Sequence, residues 1–204
     1  TDNHMKGTRA LEEIYNLEDA LVIACFLNGF IRNADIIKMA NMAQLVNVIA
    51  PIFTEKDKMF KQTIYYPFQL FAKNVSGMSL DVYVDCEKYN TNEFYIGLGE
   101  SKAKLSDVPY LDVSAAYNNG KIFINVVNRH KDKPITTEII AQTGEFTGIF
   151  NVYEVNGPDI KATNSFDEEK VKTIQKPDVK AKGNVITYTF PPHSFTMLIG
   201  NIKK

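Results

Sequence analysis

Three amides, Asn41, Gln44 and Asn47, stand three residues apart in a short apolar stretch from Lys38 to Pro51 that closes on a proline. An amide beside a buried strand costs free energy unless it hydrogen-bonds something. At the carboxyl end of a strand in an α/β barrel, that something is often a substrate. Neighbouring backbone could satisfy the same side chains, which is the plainer alternative. Other groups able to do chemistry are few. Glu12 and Glu13 lie beside the first helix, and Glu55 follows the apolar stretch where a barrel enzyme carries its active loops, although Lys56, Asp57 and Lys58 mark an ordinary solvated loop. His4, His130 and His193 have no Ser or Cys in a strained nucleophile turn beside them, so no hydrolase triad is expected. Gly97-Leu-Gly99-Glu lacks the third glycine and the following helix of a phosphate loop. Cys25 and Cys86, 61 positions apart and without matched histidines, make no zinc site, and a disulfide between them is not the expectation. Within the chain itself these groups make no complete active site, and no metal or cofactor is expected.

The elements that must position these groups follow from pattern. The chain has 204 residues, 45% of them apolar, and a net charge of −1, enough for one or two small globular domains. Lysines are scattered, with no basic patch interleaved with aromatics, so nucleic acid is not an expected partner. The longest strongly apolar run, Ala20 to Leu27, is far shorter than the roughly 18 residues of a membrane span, so no membrane is expected. The lead Thr1-Asp-Asn-His-Met-Lys resembles neither a natural start nor a signal sequence, which suggests a piece of something longer and leaves the compartment, cytoplasmic or periplasmic, open. Asn16 as N-cap, with Glu18 and Asp19 in the first turn, predicts a helix from about Leu17 to Arg32. Its apolar residues leave little polar face, so most of its circumference should be covered. Val46, Val48, Ile49 and Pro51 favour an extended segment, predicting a buried parallel strand in the stretch from Lys38 to Pro51. A second helix spans 63–73, starting near Tyr65 or Tyr66 because Pro67 is best tolerated in a first turn. Tyr65, Tyr66, Phe68 and Phe71 could stack sugar rings, but at helical spacing they read as core. Helix, strand, helix is one and a half units of a β/α architecture, and a single strand cannot build a sheet.

From Val75 onward the period switches to two. Strands are predicted at 78–84, 110–117, 121–128, 136–142, 148–155, 171–174, 185–190 and 194–199. Asn118-Asn-Gly120 is the strongest hairpin signal. Polar excursions are expected at 85–109 and 158–169. The fold class is thus an α+β fragment: a terminal β/α unit in residues 1–73, then an antiparallel β-sandwich of jelly-roll type in 74–204, with the boundary near Asn74 to Gly77.

The motifs also carry a family likeness. Leu11-Glu-Glu-Ile-Tyr-Asn-Leu-Glu-Asp-Ala-Leu21, Met39-Ala-Asn-Met-Ala-Gln-Leu-Val-Asn-Val-Ile-Ala-Pro51 and Thr63-Ile-Tyr-Tyr-Pro-Phe68 come first. Tyr110-Leu-Asp-Val-Ser-Ala115, Val126-Val-Asn-Arg129, Asn164-Ser-Phe-Asp167 and Pro191-Pro-His-Ser194 follow in the same order. Together the chain resembles the C-terminal part of α-L-arabinofuranosidases of glycoside hydrolase family 51. The resemblance implies a parent with a (β/α)8 TIM barrel and a C-terminal jelly roll. Residues 16–32 would be the seventh barrel helix, 37–50 the eighth strand and 63–73 the eighth helix. It further implies a retaining mechanism with two glutamates about 5 Å apart, both upstream of this chain. Gln44 matches the glutamine that hydrogen-bonds the arabinofuranose, and Asn41 and Asn47 match supporting positions.

The implied partners are an arabinose-containing oligo- or polysaccharide, the rest of the catalytic barrel, and further copies of the full-length enzyme as a homo-oligomer. The family's N-terminal segment also contributes to the sandwich. The faces of Leu21, Ile23, Phe26 and Leu27 would be bare without the rest of the barrel. The alternative is a non-catalytic β-sandwich module for carbohydrate binding or oligomer assembly. It would show exposed coplanar aromatics, whereas Tyr83, Tyr110, Phe123, Tyr153 and Tyr188 mostly alternate as core residues do.

Overall fold

The computed structural model describes residues 12–96 and 101–203. The lead with His4 and the Gly97-Leu-Gly99-Glu motif lie outside the described residues. Helix α1 occupies Leu17–Arg32, and local chemistry explains both ends. Asn16 Oδ1 accepts the Asp19 N–H at 3.3 Å while Asp19 Oδ2 accepts the Asn16 N–H at 2.8 Å, a reciprocal capping box. Two more of the helix's orphan donors, the N–H groups of Leu17 and Glu18, reach the carbonyls of Ala162 and Ile160, each at 2.9 Å. Helix α2, Tyr65–Asn74, holds Pro67 in its first turn, where the missing N–H has no intrahelical partner to lose.

The strands are, in chain order, β1 (Ile52–Glu55), β2 (Lys58–Lys61), β3 (Met78–Leu80), β4 (Lys88–Tyr89), β5 (Phe94–Tyr95), β6 (Lys102–Ala103), β7 (Val108–Pro109), β8 (Leu111–Asn118), β9 (Lys121–Asn128), β10 (Ile135–Ile140), β11 (Glu145–Asn156), β12 (Lys172–Lys180), β13 (Val185–Phe190) and β14 (Ser194–Lys203). A six-stranded antiparallel sheet runs β12-β11-β14-β9-β8-β3 and carries the molecule. One face packs Leu111, Ile124, Val152 and Leu198 against Ile186 and Phe190 of the two-stranded β10-β13 sheet. On its other face Val127, Val155, Phe195 and Met197 meet Leu17, Ala20, Leu21 and Ala24 of α1 and Leu70 and Phe71 of α2. The result is three layers: helices, large sheet, small sheet. Residues 122–128 are consequently buried on both faces. The Asn118-Asn-Gly120 turn has φ of 48° at Asn119 and 86° at Gly120, the left-handed pair a two-residue hairpin loop requires. Gly77 opens β3 at φ 94°, where a Cβ would stand 2.2 Å from the Tyr117 carbonyl, so the turn out of α2 admits no side chain.

Several sequence expectations need correction. No strand forms over 37–50: the stretch is irregular, with one parallel bridge from Val46 to Ile52, and Ile36, Met39 and Leu45 are 73%, 78% and 63% exposed. A parallel strand exists only with a ladder partner, and every strand pair among the described residues is antiparallel. The run predicted at 78–84 pairs only as far as Leu80, although burial goes on alternating through Cys86. The excursion at 85–109 holds two short ladders, β4-β7 and β5-β6. β12 runs to Lys180, far beyond Ile174.

A buried polar cluster fixes α1 on the large sheet. Asn28, with no exposed surface, donates through Nδ2 to Asp112 Oδ1 at 2.8 Å and to the Asp112 carbonyl at 3.1 Å. Its Oδ1 accepts Ser114 Oγ at 2.7 Å, and Asn125 Nδ2 donates to that hydroxyl at 3.1 Å. Arg32 closes on both Asp112 carboxylate oxygens, at 3.1 and 3.3 Å. Asn28→Ala would strand Asp112 and Ser114 in the interior. Urea denaturation should show a loss of about 3 kcal/mol, and an unchanged midpoint would mean that the cluster contributes nothing to the docking of α1.

Candidate functional site

The three amides singled out by sequence do not converge. Gln44 and Asn41 are exposed, and Asn47 is half-buried with its side chain committed to backbone. Asn47 Oδ1 accepts the Thr54 N–H at 2.6 Å and the Thr54 hydroxyl at 3.2 Å, while the Asn47 N–H donates to the Ile52 carbonyl at 2.8 Å. Backbone conformation here is unusual. Asn47 has φ 66° and Ile49 φ 44°; the second is costly for a β-branched side chain. Gln44 thus stands on an exposed segment whose far end is pinned to the β1-β2 hairpin.

That hairpin is in turn held to the rest of the molecule. Phe53 and Phe60 face each other across it with ring centroids 5.4 Å apart, and Phe166 from the 158–169 loop meets both edge-on at 6.0 and 5.0 Å. Asn164, 3% exposed, donates to the Lys61 carbonyl at 2.9 Å and to the Val171 carbonyl at 2.7 Å, and accepts the Val171 N–H at 2.8 Å. Gln62, 1% exposed, donates to the carbonyls of Glu13 and Ala50 and accepts the Tyr15 N–H, all between 2.8 and 2.9 Å. Thr63 Oγ1 adds a bond to the Asn16 carbonyl at 2.6 Å, and Tyr66 donates its phenol to Glu169. Desolvation, with the Glu169 contact second, raises the Tyr66 pKa.

Sequence reasoning missed Gln62 and Asn164 as the amides that organise this region, and Asn28 as the one that anchors α1. The one signal that could have found Asn164 is its place in the Asn164-Ser-Phe-Asp167 motif.

Candidate reactive groups elsewhere are occupied with structure. His130 Nδ1 accepts the N–H groups of Asp132 and Lys133 at 3.1 and 3.0 Å, and His193 Nδ1 contacts the Lys131 carbonyl at 2.6 Å, so both rings tie loops together. Cys25 and Cys86 are free thiols. Glu55 lies exposed at the hairpin tip, in the loop that Lys56, Asp57 and Lys58 make polar. Among the described residues no group of three His, Cys, Asp or Glu is placed to hold a metal ion. Tyr83, expected in the core, is 91% exposed, because the 81–85 run turns its odd-numbered side chains to solvent.

The apolar surface of α1 is divided differently from the expectation. Leu21 and Leu27 are buried on the sandwich, 6% and 9% exposed, while Val22 and Phe26 stand 48% and 58% exposed on the opposite side. They border a surface hollow of about 460 Å³ that Cys25, Tyr89, Arg129 and Ile160 complete. A helix apolar all round is one built to be covered on both sides. A second, larger cleft of about 580 Å³ opens between the unpaired 81–85 run and β10, lined by Val82, Val84, Leu111, Val113, Ile124 and Ile139.

An antiparallel sandwich with two helices on one sheet, and an amide-bearing segment displayed beside them, defines a β-sandwich domain with a helical layer. The chain matches the family model described as the α-L-arabinofuranosidase C-terminal domain over residues 2–194, and it belongs to that family. It is 36% identical over 199 residues to the "Probable alpha-L-arabinofuranosidase C" of Aspergillus terreus, covering 95% of this chain and 36% of that protein. To the intracellular exo-α-(1→5)-L-arabinofuranosidase 1 of Bacillus subtilis it is 34% identical over 191 residues, covering 92% of this chain and again 36% of the relative. The chain therefore spans about a third of the length of these relatives. The α-L-arabinofuranosidase of Thermotoga maritima, solved with arabinose, superposes with a TM-score of 0.83 at 28% identity, over 94% of this chain and 39% of that one. The GH51 α-L-arabinofuranosidase of Thermotoga petrophila gives 0.82 at 29%, over 93% and 39%.

Burial against the sheet pushes the Cys25 thiol from 9.0 up to about 12, with Asp112 adding to the shift and Arg129 and Arg32 opposing it. A thiol whose pKa is higher in the folded state favours folding fully only below its unfolded pKa. Stability should therefore fall as pH rises from 9.0 towards about 12. Urea midpoints measured over this window should fall less steeply in Cys25→Ala than in the native chain. Identical slopes would show that the thiol is not buried as described.

Proposed function

We propose that this chain is the C-terminal part of an α-L-arabinofuranosidase, a retaining exo-glycosidase that releases terminal α-L-arabinofuranosyl residues from arabinan- or arabinoxylan-type glycans. The observation that carries the proposal is the uncovered apolar surface around Gln44, in a chain that matches the family's C-terminal domain over residues 2–194. Ile36, Met39, Leu45, Val46 and Ile49 are 41% to 78% exposed beside it. Exposed apolar area of this kind marks a surface that another part of the protein covers.

In the parent, the rest of a (β/α)8 barrel supplies that cover. Neighbouring barrel strands give 37–46 the ladder it lacks, so that it becomes the last strand, with α1 and α2 flanking it, while Asn47 keeps its bonds to the hairpin. Helix α1 then lies between two bodies: Leu17, Ala20, Leu21 and Ala24 on the sandwich, Val22 and Phe26 on the barrel. An upstream extended segment of the parent also completes the sandwich as a jelly roll, seated in the cleft between 81–85 and β10. The alternating burial of Val82, Val84 and Cys86 supports this, since it is the pattern of a strand awaiting its partner.

Within this assignment the chain's chemical contribution is narrow. The retaining reaction needs a nucleophilic carboxylate and an acid/base carboxylic acid about 5 Å apart on either side of the glycosidic bond. Both belong upstream, and no residue of this chain takes either role. Gln44, on the last strand, donates and accepts hydrogen bonds to the hydroxyls of the arabinofuranose and holds the sugar for attack. Asn41 supports the same segment.

The parent polypeptide should hydrolyse p-nitrophenyl α-L-arabinofuranoside, and the 204-residue chain alone should not. Gln44→Ala in the parent should lower kcat/KM by about 100-fold, the scale of a site's buried hydrogen bonds to a sugar left unmade. Native kinetics in that variant, or turnover by the isolated chain that survives repurification, would overturn the assignment.

A further inference from the structure

The 158–169 loop of the sandwich reaches the Gln44 segment through a continuous series of contacts. Phe166 packs edge-on against the Phe53-Phe60 pair, and Asn164 Nδ2 donates to the Lys61 carbonyl at 2.9 Å. Both fix the hairpin from the sandwich side. From the hairpin, the Thr54 N–H and hydroxyl donate to Asn47 Oδ1 at 2.6 and 3.2 Å, and the Ile52 carbonyl accepts the Asn47 N–H at 2.8 Å. Asn47 lies three residues after Gln44 and holds φ 66°, with Ile49 at φ 44° beside it. A β-branched residue stays in that region only where its surroundings over-determine it. The hairpin bonds to Asn47 and the closure of the hairpin base, where the Gln62 N–H donates to the Pro51 carbonyl at 2.8 Å, supply that determination from both sides.

We propose that Asn47, through Thr54, and the Asn164/Phe166 loop, through the hairpin, are positioning residues that hold the Gln44 side chain at the sugar. The sandwich is then part of the binding geometry rather than a cap on it. The proposal rests on Gln44 as the arabinose-binding residue. Asn47 itself does not touch the sugar: its carboxamide oxygen is committed to Thr54, and its contribution is the conformation of the 44–47 stretch. Asparagine suits the position because it tolerates a left-handed backbone and carries an acceptor.

Kinetics of p-nitrophenyl α-L-arabinofuranoside hydrolysis by the parent polypeptide test this. Asn47→Gly keeps the left-handed backbone and deletes the acceptor; it should lower kcat/KM about tenfold, the scale of one lost hydrogen bond. Asn47→Asp keeps the acceptor and should recover to within about twofold. Phe166→Leu should lower kcat/KM about threefold, less than Asn47→Gly, because it loosens the hairpin without cutting the bond to Asn47.

The deciding arm combines Asn47→Gly with Gln44→Ala. If Asn47 acts through Gln44, the double variant is no slower than Gln44→Ala alone, whereas a merely structural role multiplies the two losses. Native kinetics in Asn47→Gly, no recovery in Asn47→Asp, or multiplying losses would each overturn the proposal while leaving the role of Gln44 standing. Native kinetics in Gln44→Ala would instead overturn the assignment of Gln44 and this proposal with it.

Discussion

The carboxylate of Asp112 is the constraint around which the molecule is arranged. It sits on β8 under α1, 8% exposed, and a charge taken that far out of water is tolerated only with several donors around it. Asn28 and Arg32, one helical turn apart on α1, supply them, and Arg129 of the strand-end loop stands 3.5 Å away. Apolar packing alone would let the helix slide along the sheet at small cost. The Asn28 bonds to both the side chain and the carbonyl of Asp112 remove that freedom, because any shift of register leaves a buried acceptor unmade. From this anchor the N-terminal end of α1 is carried to the 158–169 loop, whose carbonyls take the first N–H groups of the helix.

That loop consequently serves three elements at once. It caps α1, receives the Tyr66 phenol of α2 at Glu169, and clamps the β1-β2 hairpin with Asn164 and Phe166. Amides do most of this work because one carboxamide can both donate to and accept from backbone, closing irregular chain that no ladder satisfies. Gln62 illustrates the economy: a single side chain joins Glu13, Tyr15 and Ala50, three points that regular structure leaves open.

How much of this was legible in sequence depends on how far apart the partners lie. The helix Leu17–Arg32 was readable to the residue, since its capping box and apolar run are local, and so was the hairpin at Asn118-Asn-Gly120. Gln62, Asn28 and Asn164 were not, because nothing in an asparagine's neighbours tells whether its partner is the adjacent turn or a carbonyl 103 positions away, as with Asn164 and Lys61. The stretch 37–50 misled for the same reason in reverse. Its β-branched residues favour extension, but extension becomes a strand only against another strand, and that partner is not among the described residues. The division of α1 into a sandwich face and an opposite face was likewise hidden, since an all-apolar helix carries no mark of which neighbour each side meets. The candidate site was legible only as residue types. Family likeness picked out Gln44, and the bonds of Asn47, three residues on, to the hairpin appear only in three dimensions.

The strained residues near the hairpin and the unpaired runs share one property, exposure. Asn47 and Ile49 at positive φ, the exposed Ile36, Met39 and Leu45, and the alternating but unpaired 81–86 run all occur where the described chain meets open space. In the apolar core of the large sheet and on the buried helix faces, propensity and pattern agree. Gln44 lies exposed on the 37–50 segment. The sandwich fixes one end of its segment through the hairpin, where Thr54 holds Asn47.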